Sequence, residues 1–110
     1  MDWRSQIQTE FDKAEQARSR GNEGQARVCA RRAAGRAARE YFSRRGRPVR
    51  TPSAYDVLNL LIEDRSLPDD LRQFAEFLTL RVNEDFKLPV DVDLIAVAKN
   101  LCEGLLLDKK

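Results

Sequence analysis

Between Gln25 and Arg44 the main apolar stripe is filled mostly by alanine. Ala26, Ala30, Ala33, Ala34, Ala37 and Tyr41 recur at spacings of three and four, the mark of one helical face. Methyl-sized side chains let a neighbouring helix approach closely, and such a face is buried only when other helices wrap it. The segment is therefore expected to be the central helix of an all-α fold. Six of its remaining positions are arginine.

Glycine and proline divide the remainder into helical pieces. The first is expected over 2–20, where Trp3, Ile7, Phe11, Ala14 and Ala17 form one stripe. Gly21 suits the position after a helix C-cap, and Asn22 three residues before Gln25 suits an N-cap. A tight turn between antiparallel helices follows. After Arg44 comes a loop, 45–52, with two prolines and a glycine. Ser53 and Asp56 form the next capping pattern, opening a third helix with Ala54, Val57, Leu58, Leu61 and Ile62 inward. Pro68, Asp69 and Asp70 start a fourth, whose stripe of Leu71, Phe74, Ala75, Leu78 and Val82 carries it to about Asp85. Pro89 interrupts the chain, and Asp91 or Asp93 opens a fifth helix with Leu94, Ile95, Ala98, Leu101, Cys102 and Leu105 inward. The expectation is one domain over 1–110, an up-and-down bundle of four long helices plus a shorter fifth.

Composition removes several functions. The 110 residues contain no histidine, which takes away the commonest general base and most zinc sites. Two cysteines, Cys29 and Cys102, lie far apart among apolar neighbours and are expected to be packed free thiols. The acids Glu84 and Asp85 lack the histidine a dinuclear bundle site uses, so no metal and no cofactor is expected. No apolar run is long enough to span a bilayer, and no leader is visible at the start. A cytoplasmic location, away from membranes, is the corresponding expectation.

The net charge of +2 hides a segregation. Residues 25–50 hold nine arginines against the single acid Glu40, whereas residues 51–110 hold seven basic and twelve acidic side chains. On a helical projection Arg32, Arg36 and Arg39 fall within about 60° of one another, with Arg27 and Arg31 on a separate stripe. Between them runs a second apolar ridge, Val28, Gly35 and Phe42, spaced by seven. A core helix needs one apolar stripe, so the second ridge suggests another helix docking there, the same helix of a second copy in a homodimer. For the arginines three readings stand: a solvated face paired with the acidic half, a surface for nucleic acid or another anion, or a dock for an acidic protein.

The order of elements and several local patterns resemble the HEPN family, the higher-eukaryote and prokaryote nucleotide-binding domains. Residues 24–34 are similar to its second helix, residues 53–61 to its third and residues 67–71 to the start of its fourth. The resemblance implies a helical bundle that commonly forms two-fold dimers. It also implies a nucleotidyltransferase partner in toxin–antitoxin pairs, or RNA-directed activity. Active RNases of the family carry an arginine near the end of the fourth helix, often a polar residue after it, and then a histidine. Arg81 and Asn83 match the first two, but Phe86, Lys87 and Leu88 stand where the histidine falls. The motif is broken: no imidazole is there to move protons during attack by a 2′-hydroxyl. Lys87 or Asp85 is the remaining substitute, while Arg81 also reads as a partly covered side chain paired with Asp85.

Together these readings describe a non-catalytic, HEPN-like binding module. Its functional surface is expected on Arg32, Arg36, Arg39, Arg44, Arg45, Arg47 and Arg50, facing RNA, a nucleotide or an acidic protein. One alternative is a divergent RNase toxin built on Arg81 and Lys87; another is a purely structural dimer.

Overall fold

The computed structural model describes residues 2–80 and 92–106, and all regular structure among them is α-helical. The helices are α1 (Trp3–Ser19), α2 (Glu23–Arg44), α3 (Ala54–Glu63), α4 (Asp69–Thr79) and α5 (Leu94–Leu106). Five helices come in the expected order, but only two are long. α1 and α2 have 17 and 22 residues, and the other three have 10, 11 and 13. None among the described residues is long and apolar enough to cross a membrane.

Local chemistry sets the boundaries. Asp2 caps α1 by accepting from the Ser5 amide at 2.8 Å, and Asn22 caps α2 by accepting from the Gln25 amide at 3.1 Å. Between the two helices Gly21 takes a positive φ of 77°, its amide donating to the Arg18 carbonyl while Asn22 donates to that of Ala17. Gly46 (φ 73°) repeats this arrangement after α2, with Gly46 bonding back to Ser43 and Arg47 to Phe42. Both ends are Schellman turns, which require the left-handed backbone that glycine adopts without strain. Ser53 caps α3 through the Asp56 amide, and Asp93 caps α5 through the amides of Ile95 and Ala96.

The fourth helix stops earlier than its apolar stripe predicts. Leu80 is extended (φ −65°, ψ 142°), so α4 ends at Thr79 and does not continue toward Asp85. One local bond and two from a distant side chain favour the exit. The Thr79 hydroxyl donates to the Glu76 carbonyl, and the Arg31 guanidinium of α2 takes the carbonyls of Leu78 and Leu80 at 2.7 and 3.0 Å. Carbonyls at a helix end have no partner within the helix, and Arg31 supplies one. Arg81, Asn83 and Lys87, together with Val82 and Asp85, lie outside the described residues.

α2 is the axis of the fold. It packs against α1, α3 and α5, while α4 lies on α3 and α5. Ala26, Ala30, Ala33, Ala34, Ala37 and Ala38 are completely buried, as the alanine face requires. Larger side chains from the surrounding helices fill the space these methyls leave, chiefly Leu58, Leu61, Leu78, Leu94 and Leu101. Both cysteines are buried free thiols. Burial, and then the neighbouring charge of Glu103, push the Cys102 thiol up to about 12, so it is an inert packing group.

The second apolar ridge has an occupant within the chain. Phe42 is only 1% exposed, and a Cβ on Gly35 would sit 2.9 Å from the Cβ of Ala54 at the start of α3. Gly35 and Phe42, expected at a dimer interface, are thus core positions of a single chain, and only Val28 stays half-buried at the surface. A second helix does meet this ridge at Gly35. That helix is α3.

One polar knot ties three helix ends together. Arg18 at the end of α1 grips Glu23 at the start of α2 with two hydrogen bonds, Nε at 3.0 Å and Nη2 at 2.6 Å. Its Nη2 also lies 3.0 Å from Asp93, the cap of α5. Hydrogen bonding to Arg18, the largest cause in each case, holds the Glu23 and Asp93 carboxyls below their ordinary values of 4.5 and 3.8. Groups with depressed folded pKa values stabilise the fold above their ordinary pKa, and that contribution fades as pH falls through the depressed values. Thermal melts from pH 7 down to pH ~2 should therefore show a loss of stability beginning near pH ~4. Arg18→Met should shallow that acid limb. An unchanged limb would show that the knot does not hold the helix ends.

Candidate anion-binding cleft

The turn at 20–22 lays α1 antiparallel against α2, so a residue early in α1 faces one late in α2. Gln6 thereby meets Arg36, and Glu10, one turn further along the same face, comes beside the middle of α2. The start of α3 crosses the same stretch of α2 at Gly35. Between these three elements opens a cleft of about 460 Å³. Gln6 and Glu10 form one wall, Pro52, Ala54 and Tyr55 the other, and Val28 with Arg31, Arg32, Arg36 and Arg39 the α2 side.

The four arginines are held in different ways. Arg31 bonds the two carbonyls at the end of α4, with its guanidinium 5.3 Å from the Tyr55 ring centre. Arg36 donates to the Gln6 side-chain carbonyl and lies 3.9 Å from Glu40. Arg39 places Nε and Nη2 on the Thr51 carbonyl at 3.2 and 3.1 Å, tying the α2–α3 loop to α2. Arg32 is exposed and makes no hydrogen bond or ion pair among the described residues. Carbonyl partners fix a guanidinium's position while leaving its full positive charge, and each guanidinium has five N–H donors to share. Burial, followed by the charge of Arg36, lowers the Arg39 pKa from its ordinary value. Two cations press on each other there, the condition that a bound anion relieves.

Arg36 and Arg44 form salt bridges, both to Glu40 of α2 itself. The acids of α3, α4 and α5 pair elsewhere or face solvent, as with Asp69 and Arg72 or Asp93 and Arg18.

The structure splits the seven arginines expected to form one surface. Arg32, Arg36 and Arg39 line the cleft together. Arg44 instead bonds Glu40 and stacks over Trp3, with its guanidinium carbon 5.1 Å from the ring centre. Arg45 and Arg47 lie over Tyr41 and Phe42 at 4.3 and 5.3 Å, and Arg50 is exposed in the loop. Arg31, placed by projection on a separate stripe, also lines the cleft. Gln6, Glu10 and Tyr55 were also missed. The antiparallel pairing through the short turn carried the signal for the first two, because it sets Gln6 opposite Arg36.

Over the described residues, fold and site define an all-α, five-helix protein with an arginine-lined cleft along its central helix. Comparison with protein-family models, with curated proteins and with solved structures finds no match to this chain.

Proposed function

We propose that the protein is a non-catalytic, HEPN-like binding module that takes an anionic ligand in the cleft between α1, α2 and α3. The observation that carries this reading is the convergence of Arg31, Arg32, Arg36 and Arg39 on one cleft whose lining, among the described residues, includes a single carboxyl, that of Glu10. Arginine suits the purpose because its planar fork gives phosphate or carboxylate two parallel hydrogen bonds. A volume of about 460 Å³ falls within the range of small-molecule sites and admits a nucleotide or a short stretch of RNA backbone. The absence of histidine from the chain favours binding over catalysis, since no side chain titrates near neutrality without a strong shift.

The test is a titration of the protein with a short single-stranded RNA, followed by fluorescence anisotropy at low and physiological salt. Binding should weaken as salt rises, because the contacts are to phosphate. Arg32→Glu with Arg36→Glu should lower affinity by about 100-fold or more, two charge-assisted contacts being replaced by repulsion. A folded double variant that binds like the wild type would show that the site lies elsewhere.

A further inference from the structure

Glu10 stands apart in this cleft. It belongs to α1, lines the cleft with the four arginines and is half-buried. Its Oε1 is buried and accepts no hydrogen bond, and the residue forms no salt bridge among the described residues. A carboxyl lining a cleft with four guanidiniums would ordinarily be drawn into a pair with one of them. Here Gln6, one turn earlier on the same face, takes Arg36, and the carbonyl oxygens of Leu78, Leu80 and Thr51 occupy Arg31 and Arg39. Buried acceptors in folded proteins nearly always have a donor, and one left without is a standing cost. No existing hydrogen bond of Oε1 is lost if the outer side-chain torsions turn it toward the opening.

We infer that Glu10 selects the ligand of this cleft, admitting phosphate esters whose carbon skeleton carries hydroxyl or amino donors over anions that carry none. The inference rests on the cleft being an anion site and adds what that site distinguishes. The phosphate lies on the arginine side, nearest Arg32, which has no other partner among the described residues, and Arg36. The sugar-like part reaches the α1 wall and donates to Glu10. A ligand without donors brings only negative charge toward a carboxyl and is repelled there, whereas one with a hydroxyl at that point gains a charge-assisted hydrogen bond. The volume of about 460 Å³, room for about fifteen water-sized groups, far exceeds what a bare phosphate fills.

The experiment compares methyl phosphate with ribose 5-phosphate at pH 8, by isothermal titration calorimetry on the whole protein. The two share a phosphate monoester, and only the second carries a skeleton of hydroxyl donors. The wild type should prefer ribose 5-phosphate at least tenfold, the effect of one charge-assisted hydrogen bond. Glu10→Leu should reduce that preference below about threefold while methyl phosphate binds as well as before or better, a repelling carboxyl having been removed. Glu10→Gln, which keeps the shape and an acceptor oxygen, should retain a reduced preference and serves where the leucine variant does not fold. Equal binding of both compounds to the wild type, or a preference that survives in Glu10→Leu, overturns the selection by Glu10 and leaves the anion site standing. If neither compound binds the wild type, the anion site itself fails and the selection falls with it.

Discussion

Replacing Phe42 with aspartate is expected to leave the protein largely unfolded at room temperature. The ring is 1% exposed, meets Tyr41 edge-on with centroids 5.2 Å apart, and lies under the Arg47 guanidinium. Truncating a buried phenylalanine costs about 3–5 kcal/mol, and a carboxylate left in its place adds a desolvation cost of several more. Arg47 at the rim offsets only part of that. The sum approaches the whole stability of an ordinary domain, about 5–15 kcal/mol. Far-UV circular dichroism checks it directly. Loss of the helical signal is the expected result, whereas a well-folded monomer with unchanged melting would mean that Phe42 lies on a surface. Phe42→Leu, which keeps the site apolar, should remain folded with a lowered midpoint.

Gly35 carries the second large effect, for a reason that helix propensity alone would get backwards. Glycine to alanine inside a helix ordinarily gains about 1 kcal/mol. At Gly35 the added Cβ would lie 2.9 Å from the Ala54 Cβ and 3.1 Å from its Cα, so the backbone of α3 must move away. Overpacking of this kind costs about 1–3 kcal/mol, which cancels or exceeds the gain. Gly35→Leu places three further carbons at the same contact and should destabilise severely. Gly104 in α5 provides the contrast. A Cβ there meets the Leu71 side chain, both Cδ atoms and the Cγ at 3.3 Å, with no backbone atom among its nearest contacts, so the strain falls on a flexible side chain that turns aside. Urea melts should place Gly104→Ala near the wild type or above it and Gly35→Ala below it. The reverse order would show that α3 does not sit on α2 through this contact.

Much of the fold was legible because the signals that carry it are local. Asn22, Ser53 and Asp93 act on amides two or three residues away, and Gly21 closes its turn over a few residues. Such chemistry depends on nothing distant, so the sequence pattern locates it. The end of α4 was not legible in the same way. Its apolar stripe runs on past Thr79, and one of the groups that favours the exit, the Arg31 guanidinium, comes from 47 residues earlier in the chain.

The cleft divides along the same line. Arginine density on α2 was plain from composition, as was the alignment of Arg32, Arg36 and Arg39. That Arg44, Arg45 and Arg47 stack on aromatic rings, that Arg31 serves the end of α4, and that Glu10 is left beside the others all depend on which helices meet α2 and at what height.

By itself, then, the sequence determined the helical class, the caps, the central place of the alanine-faced helix and the segregation of charge. Each of these follows from periodicity or from bonds closed within one turn of chain. Only the tertiary structure decided that the Gly35–Phe42 ridge is covered from within, and which arginines share a cleft. A helical face states that something must pack on it or pair with it. It does not state what, because every apolar ridge accepts any helix of suitable shape and every guanidinium any acceptor within reach. The choice is made by the joint packing of the helices, in which the start of α3 meets Gly35.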